Sequence, residues 1–265
     1  MGVQEIQGIG VGNLLLISGI HGNEYTPVVA LYDVFSDSKL INQLKKIYNK
    51  ITFIHAANEY GIKNNIREYD GNRDLNRIFQ LDLLKDTITY HISEADYIID
   101  IHSSPNCTEF VLINDGEEAK SMVEYCWRLN IPYAVWDGSP NTIKSYSLRE
   151  GKVAFTVECN GIGTVDVDSA KKTHKLISKM VLNPYNKKYY SDVQDLIVTK
   201  LETVCANVEG ILLWNDKNTY TIISIKDGSI LYYGTVPDNS FIITRNKDAY
   251  VTKDSYIYQY QKRIT

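Results

Sequence analysis

Short apolar runs that end on polar residues are the feature that most restricts the fold of this chain. The clearest runs are 13–19 (NLLLISG), 50–58 (KITFIHAAN), 95–103 (ADYIIDIHS) and 153–158 (VAFTVE). Each run has the length of one β-strand and is rich in β-branched and other apolar residues, which is typical of strands covered on both faces. Because such strands occur where helices pack on both sides of a sheet, the runs predict an α/β layered fold.

Helical patterns lie between these runs. Residues 26–35 (TPVVALYDVF) follow the first run with apolar residues at helical spacing, and Pro27 falls in the first turn, where proline is tolerated. The segments 117–129 and 168–182 show the same periodicity. The alternation of strands and helices supports the α/β prediction.

The chain changes character near Ser191. Helical patterns stop there, and short runs such as GILLW and SFIIT alternate with the turn signals Asp227-Gly228 and Pro237-Asp238. We therefore predict a main domain over residues 1–190 and a small β domain over residues 191–265.

The composition of the chain limits the kinds of molecule that we expect it to bind. The chain has 265 residues, 44% of them hydrophobic, and 28 Lys and Arg against 32 Asp and Glu give a net charge of −4. This balance excludes the basic surface that captures nucleic acid or anionic membrane, so a small-molecule partner is favoured. No apolar run approaches the roughly 18 to 20 residues that span a bilayer, and the first residues lack a signal-peptide pattern. We expect a protein without membrane attachment.

The cysteines indicate the compartment. They are far apart and form no CxxC pair, which argues against a disulfide framework and against a cysteine zinc site. A reducing cytoplasm is therefore the expected location. The four residues are Cys107, Cys126, Cys159 and Cys205.

A histidine and a glutamate stand three positions apart in SGIHGNEYTP, residues 18–27, at the end of the first apolar run. Alone, such a pair is more often a polar loop or a helix cap than a metal site. The run DIHSS changes the interpretation, because His102 ends another strand, and open α/β sheets bind ligands at strand ends. His21, Glu24 and His102 could then form the three-ligand set of a catalytic zinc, which keeps its fourth position for water.

Two further segments contain candidate residues. Residues 67–79 (REYDGNRDLNRIF) include a charged run that is usually a solvated surface, but Asn76 beside Arg77 suits two-point binding of a carboxylate. The strand 153–158 ends on Glu158 before a glycine loop, and this glutamate fits a strand-end cap and a catalytic carboxylate equally well.

The remaining histidines and Cys159 are interpreted as structural. His55 lies within a strand pattern, His91 in a polar helical stretch and His174 on a lysine-rich helix, so packing or surface positions are favoured. Cys159 follows Glu158 directly, and strand alternation points the two side chains to opposite faces.

Four motifs follow one another along the chain: GxHGNE, an arginine followed by DLNRxF, DxHS, and a strand ending in TVE before a glycine. In this order they resemble the succinylglutamate desuccinylase and aspartoacylase family, a branch of the zinc carboxypeptidase superfamily. The resemblance covers about residues 13–163. It implies a three-layer α/β/α fold of the zinc-exopeptidase type with a mixed sheet. It also implies a small C-terminal β domain that covers the active site.

The resemblance implies a metal centre. One zinc ion per chain would be bound by His21, Glu24 and His102. Asp74 of DLNR would hold a zinc histidine in orientation, a function that metal sites commonly assign to a nearby carboxylate. Asp100 is the competing candidate for that function.

The resemblance also implies substrate contacts. Glu158 would be the general base and Arg67 the polarising arginine, while Asn76 and Arg77 would bind the α-carboxylate of the substrate. Arg149 stands nine residues before Glu158, about one residue from the spacing at which aspartoacylases keep an arginine for the acidic side chain. If Arg149 faces the pocket, the substrate is an N-acyl aspartate or glutamate.

Hydrolysis of the amide bond of an N-acyl amino acid is therefore the expected activity. A zinc carboxypeptidase would use the same ligands and differ in an open groove for a peptide, and the covering β domain argues against it. A non-catalytic binding protein on the same scaffold is a further alternative, against which the retained Glu158 argues. A homodimer is left open.

Overall fold

The computed structural model describes most of the first 189 residues and the strands that follow. The described ranges are 2–69, 72–77, 85–105, 108–114, 119–136, 138–189, 202–206, 210–214, 219–224, 229–235, 240–245, 250–251 and 256–262. The described helices are α1 (Tyr25–Ser36), α2 (Ser38–Ile47), α3 (Glu59–Asn64), α4 (Lys85–Glu94), α5 (Ala119–Arg128), α6 (Ile143–Arg149) and α7 (Val167–Leu182). None of them is both long enough and apolar enough to cross a membrane.

Fourteen strands accompany these helices in the described part of the chain. The first seven are β1 (Val3–Gln7), β2 (Asn13–Ser18), β3 (Lys50–Ile54), β4 (Tyr97–Ser104), β5 (Phe110–Asn114), β6 (Tyr133–Trp136) and β7 (Val153–Asn160). The C-terminal strands are β8 (Glu202–Cys205), β9 (Gly210–Trp214), β10 (Thr219–Ile223), β11 (Ile230–Thr235), β12 (Ser240–Arg245), β13 (Tyr250–Val251) and β14 (Tyr256–Lys262).

The first seven strands form one mixed sheet in the order β1-β3-β2-β4-β7-β5-β6. The four apolar runs of the sequence are its centre, where β3, β2, β4 and β7 are all parallel to one another. β1 and β5 pair antiparallel with β3 and β7, and β6 continues parallel to β5. The predicted α/β fold with a mixed sheet is confirmed. In this sheet the carboxyl ends of the parallel strands β2, β4 and β7 lie at the same edge.

Side-chain alternation divides the core into two layers. Leu14 and Leu16 of β2 belong to one apolar cluster, whereas Leu15 and Ile17 belong to the other. The first cluster includes residues of α1, α2, α5 and α7, and the second includes residues of α4 and α6. Helices therefore cover both faces, which explains why β2 is apolar at every interior position.

The C-terminal strands form two antiparallel sheets. β11, β10, β9 and β13 make a four-stranded sheet, and β12, β14 and β8 make a three-stranded one. The all-β character of this region matches the predicted pattern. The predicted boundary between residues 190 and 191 and both turn signals, Asp227-Gly228 and Pro237-Asp238, lie outside the described residues, so the division into domains stays a prediction.

The loop after β2 packs closely against α3. The backbone amide of Gly22 donates to the carbonyl oxygen of Arg67 at 3.3 Å. A Cβ atom on Gly22 would lie 2.0 Å from the carbonyl carbon of Gly61. Because only glycine leaves room for this approach, the glycine of HGNE lets the loop that carries His21 dock against the segment that carries Arg67.

Asn58 joins the same segments through its buried side chain. Its Oδ1 accepts from the Gly61 amide at 2.8 Å and so caps α3. Its Nδ2 donates to the carbonyl oxygens of Ile20 and Glu68, at 3.2 and 3.1 Å. One amide therefore satisfies three backbone groups that would otherwise be buried without partners.

We predict that Asn58→Ala lowers the free energy of unfolding by about 1–3 kcal/mol, because a lost cap and unsatisfied buried backbone groups carry costs of that size. Urea denaturation measures the change. Asn64→Ala is the matched control, since Asn64 is exposed on the same helix and donates only to the Tyr60 carbonyl within the described contacts. Equal losses in both variants would contradict the structural role of Asn58.

Candidate metal centre and active site

One face of the central strands changes from apolar to polar as the strands approach their carboxyl ends. On β4, Ile98 belongs to the core beneath α4 and α6, and Asp100 and His102 follow it on the same face. On β7, Ala154 of the same core precedes Thr156 and Glu158. The parallel register places His102 directly opposite Glu158, so two strands bring these side chains together.

His21, Glu24 and His102 converge at this edge and are all buried. Their ligand atoms lie within 4.8 Å of one another, so the three residues could hold a metal ion. His21 Nδ1 lies 2.8 Å from Glu24 Oε1, and His102 Nδ1 lies 3.2 Å from Glu24 Oε2. The two Nδ1 atoms are 3.1 Å apart.

The other nitrogen of each imidazole contacts an aspartate. His21 Nε2 lies 3.0 Å from Asp74 Oδ1, and His102 Nε2 lies 2.8 Å from Asp100 Oδ2. A carboxylate accepts hydrogen bonds, so each aspartate accepts the Nε2 proton of its histidine, and Nδ1 is the nitrogen that can bind a metal ion. Both Nδ1 atoms also face the Glu24 carboxylate, so a cation between the rings, either a proton or a metal ion, would contact all three side chains. Asp74 and Asp100, considered as competitors from the sequence, therefore contact one histidine each.

The same charges favour a cation in the site. Burial opposes ionisation of Glu24, but the imidazoles of His21 and His102 outweigh it and hold the pKa of Glu24 well below its usual range. Burial also opposes protonation of His102, yet Asp100 and Glu24 together raise the pKa of His102 well above its usual value. The donor set thus fits a bound cation.

Glu24 occupies the N-cap position of α1, but its side chain makes no capping hydrogen bond. Its Oε2 instead accepts from the Ser103 amide at 2.9 Å, and its Oε1 lies 3.3 Å from Arg67 Nη1. The side chain of Glu24 therefore does not cap α1, because its carboxylate turns away from the helix and toward the two histidines.

The DLNR segment folds tightly around Asp74. The Oδ2 atom of Asp74 lies 3.0 Å from Arg67 Nε and 2.9 Å from Arg67 Nη2, and its Oδ1 accepts from the Asn76 amide at 2.9 Å. Burial opposes ionisation of Asp74, but His21 and Arg67 outweigh it and hold the pKa of this carboxyl well below its usual range. Asp74 therefore links the metal-site histidine to the arginine beside it.

The side chains of Asn76 and Arg77 differ in their exposure to solvent. Asn76 is buried, its Oδ1 accepts from the Ile143 amide at 2.9 Å, and its Nδ2 lies 3.1 Å from His102 Nε2. Because Nε2 of His102 donates to Asp100, it cannot also accept from Asn76. Arg77 is exposed, and its Nη1 donates to the Asn76 carbonyl at 2.9 Å.

Glu158 is half-buried, and its Oε2 accepts from the Ser104 hydroxyl at 2.8 Å. Burial raises the pKa of Glu158 above its ordinary value, as does the negative charge of Glu24, while His102 and Ser104 oppose the shift. A carboxylate with a raised pKa beside a metal-type site is suited to accept and return a proton.

A cavity of about 370 Å³ connects these side chains. Its size falls within the range of small-molecule sites. The described residues that line it include seven of the ten predicted site residues: His21, Glu24, Arg67, Asn76, Arg77, His102 and Glu158. Asp74 and Asp100 lie behind the histidines and do not line the cavity.

Arg149 is the predicted site residue that the structure places elsewhere. It ends α6 and is exposed, and its guanidinium donates to the Pro140 carbonyl. Although it stands only nine residues before Glu158, a turn separates the end of α6 from β7, the strand that carries Glu158. The chain thus brings Arg149 to the surface end of a helix, away from the cavity lining.

Sequence reasoning missed Lys144, Ser104 and Thr156, which also line the cavity. Ser104 could have been found, because it is two residues beyond His102 and alternation puts both on one face. Thr156 precedes Glu158 by the same interval. Lys144 gave no signal in the sequence, since α6 is a short helix of seven residues.

The other histidines and Cys159 are outside the cavity lining. His55 Nε2 lies 2.8 Å from Gln4 Oε1, and His174 lies 3.4 Å from Asp37, which stands between α1 and α2. His91 lies 3.7 Å from Glu5. The thiol of Cys159 donates to the His102 carbonyl oxygen at 3.2 Å.

The family of the chain follows from a sequence comparison. Residues 11–182 match the model of the succinylglutamate desuccinylase/aspartoacylase catalytic domain. The chain therefore belongs to the succinylglutamate desuccinylase/aspartoacylase family, a family of deacylating hydrolases. A search of curated proteins found no match.

Solved structures share the whole fold at low identity. A family protein from Rhodobacter sphaeroides is 17% identical with a TM-score of 0.75, covering 99% of this chain and 89% of its own. One from Mesorhizobium loti is 15% identical with a TM-score of 0.73 and the same coverage. The product-bound ectoine utilization protein EutE from Ruegeria pomeroyi is 16% identical with a TM-score of 0.72, covering 98% and 88%. These likenesses show the fold, including the C-terminal strands.

We predict that His102→Ala weakens metal binding at least about a hundredfold, because loss of a supporting contact alone costs about 10- to 100-fold. Equilibrium dialysis followed by metal analysis measures the affinity. His174→Ala serves as the control, since His174 is on α7 and its closest ionic partner is Asp37 among the described residues. An unchanged affinity in the His102 variant would remove this residue from the ligand set.

Proposed function

We propose that this chain is a zinc-dependent amidohydrolase that removes the acyl group from an N-acyl amino acid. The observation that carries the proposal is the convergence of His21, Glu24 and His102 in one cavity with Glu158, which lies opposite His102 on the adjacent strand. Family membership supports the reaction class, and the donor chemistry supports the metal.

Zinc suits the three proposed ligands better than other common ions. Two imidazole nitrogens and one carboxylate are the set that catalytic zinc sites use with an open fourth position, whereas magnesium and calcium prefer oxygen ligands. A zinc ion held by these residues would lower the pKa of water and polarise the substrate carbonyl.

Glu158 would act as general base and then as general acid. Its carboxylate takes a proton from the water that attacks the amide carbonyl, and the same oxygen later delivers that proton to the nitrogen of the leaving amino acid. The raised pKa of Glu158 fits both steps, because the group must hold the proton between them. The Ser104 hydroxyl would orient the carboxylate through its hydrogen bond.

Arg67 would stabilise the negative charge that develops on the carbonyl oxygen. Its guanidinium lines the cavity and is held by Asp74 and Glu24. A cation positioned before the reaction stabilises a developing charge without reorganising. Arg67 contacts Glu24, so its charge would lie beside the proposed zinc ligands.

Arg77 and Asn76 would bind the α-carboxylate of the substrate. Arg77 is exposed and lines the cavity, so it can meet a charged group as the substrate enters. The Nδ2 protons of Asn76, which His102 cannot accept, would give a second contact. A carboxylate bound at two points is positioned as well as held.

Hydrolysis of a substrate panel tests the proposed function. Zinc-loaded protein is incubated with N-acetyl, N-succinyl and N-formyl amino acids and, separately, with short peptides that have free C-termini. We expect release of the free amino acid from at least one N-acyl amino acid and no cleavage of the peptides. Cleavage of peptides alone would identify a carboxypeptidase instead, and ligand binding without turnover would identify a binding protein.

We predict that Glu158→Gln lowers kcat by about 10²- to 10⁴-fold, the usual contribution of general acid-base catalysis, while metal content stays at the wild-type value. Glu150→Gln is the control, because Glu150 is an exposed carboxylate just beyond α6. Steady-state kinetics and metal analysis on the same preparations measure both properties. A Glu158 variant that keeps most of the wild-type rate would assign the base to another group.

A further inference from the structure

The loop between β7 and α7, residues 161–166, is bound to the start of α1. The Gly163 amide donates to the Asn23 carbonyl oxygen at 2.7 Å, and the Asp166 amide donates to Thr26 Oγ1 at 3.0 Å. Asn23 and Thr26 stand just before and just after the carboxylate ligand of the proposed zinc site. The loop that follows the proposed general base therefore holds the chain on both sides of a proposed metal ligand.

The start of α1 depends on this loop because the side chain of Glu24 does not hold it. Glu24 occupies the N-cap position, yet its carboxylate faces His21 and His102 and makes no capping hydrogen bond. A side-chain cap normally binds a free amide of the first turn and so fixes where a helix begins. Contacts from outside the helix must therefore fix the backbone of Glu24.

Thr26 is the side chain through which the loop contacts α1. It is fully buried, and its hydroxyl accepts from the Asp166 amide and donates to the Thr164 carbonyl oxygen at 3.5 Å. A Cβ atom on Gly161 would lie 2.6 Å from Thr26 Oγ1, and the φ angle of Gly161 is +109°. Because glycine adopts this conformation without strain and leaves room for the hydroxyl, the loop can approach Thr26 closely.

Both ends of the loop are fixed by further hydrogen bonds. At one end, the Ser103 hydroxyl of β4 donates to the Gly161 carbonyl oxygen. At the other end, Asp166 Oδ1 accepts from the Ser169 amide at 2.9 Å and caps α7, while its Oδ2 accepts from Asn160 Nδ2 at 2.8 Å. The Asp166 amide that binds Thr26 therefore belongs to a held segment of backbone.

We infer that Thr26 is a positioning residue that fixes Glu24 relative to β7, and this inference rests on the metal site of the proposed function. Thr26 is not among the described residues that line the cavity, so it acts through Glu24. Strand pairing already holds His102 and Glu158, whereas Glu24 precedes a helix and needs a separate anchor. Such an anchor matters because functional groups must be held to within about 0.5 Å.

Two substitutions at Thr26 separate the hydrogen bond from the packing. Thr26→Val keeps the shape of the side chain and removes the hydroxyl, whereas Thr26→Ser keeps the hydroxyl and removes a methyl group. Thr173→Val is the matched control, because Thr173 is buried on α7 and its hydroxyl has no hydrogen-bond partner among the described residues. Zinc affinity is measured by competition between each zinc-loaded protein and a chelator of known affinity, without substrate.

We expect Thr26→Val to bind zinc about tenfold more weakly than the wild type, the lower end of the cost of losing a contact that supports a metal ligand. Thr26→Ser and Thr173→Val should keep the wild-type affinity. Cobalt(II) gives a second readout, since its visible absorption depends on the geometry of its ligands, and its spectrum should change only in Thr26→Val. Unchanged affinity and spectrum in Thr26→Val, or an equal loss of affinity in Thr26→Ser or Thr173→Val, overturns the inference.

A second variant tests the inference if Thr26→Val does not fold. Ser103→Ala removes the hydrogen bond from the Ser103 hydroxyl to Gly161 and keeps the Ser103 amide that binds Glu24. It loosens the same loop from the side of β4, so we expect a similar, roughly tenfold loss of zinc affinity. An unchanged affinity in Ser103→Ala then overturns the inference.

The metal-binding comparison is independent of the proposed reaction. A wild type that binds zinc but cleaves no substrate of the panel contradicts the proposed function, and the comparison of Thr26→Val with Thr26→Ser still decides the inference. A wild type that cleaves its substrate and a Thr26→Val variant that binds zinc equally well contradict the inference alone. A wild type that binds no zinc contradicts both.

Discussion

The parallel pairing of β2, β4 and β7 is the constraint on which the rest of the site depends. Parallel strands end at the same edge, and their register places His102 of β4 opposite Glu158 of β7. Alternation then places both side chains on the face that starts in one core layer and becomes polar near the strand ends. A shift of one residue in this pairing would turn His102 into the other core layer, so the apolar packing that holds the register also holds the site.

Buried charge is the second determinant of the arrangement. Asp74 and Asp100 each contact the outer nitrogen of a histidine, and Glu24 faces both inner nitrogens. Such a set of anions is unfavourable in a buried place unless cations accompany it. Arg67 supplies one charge through Asp74 and Glu24. A metal ion bound by His21, Glu24 and His102 would supply the other, and in that case metal binding would also stabilise the fold.

The short helix α6 places two basic residues in different surroundings. α6 carries Lys144 inward and Arg149 outward, although both are basic residues a few positions apart. The inward position is held by a link from the Ile143 amide to Asn76, which itself lies beside His102. The side chain of Asn76 thus connects the start of α6 to His102.

The sequence by itself determined the α/β class, the central strands, the three proposed ligands and Glu158, because hydrophobic periodicity and short motifs are local properties. The assignment of Asp74 and Asp100 to different histidines needed the tertiary structure, since the loop that carries DLNR must fold back on the strand ends. The presence of Lys144 in the cavity lining, and of Arg149 outside it, also needed the tertiary structure. A short helix buries whichever face its neighbours cover, and only the packing of α6 against the sheet decides which basic residue enters the cavity.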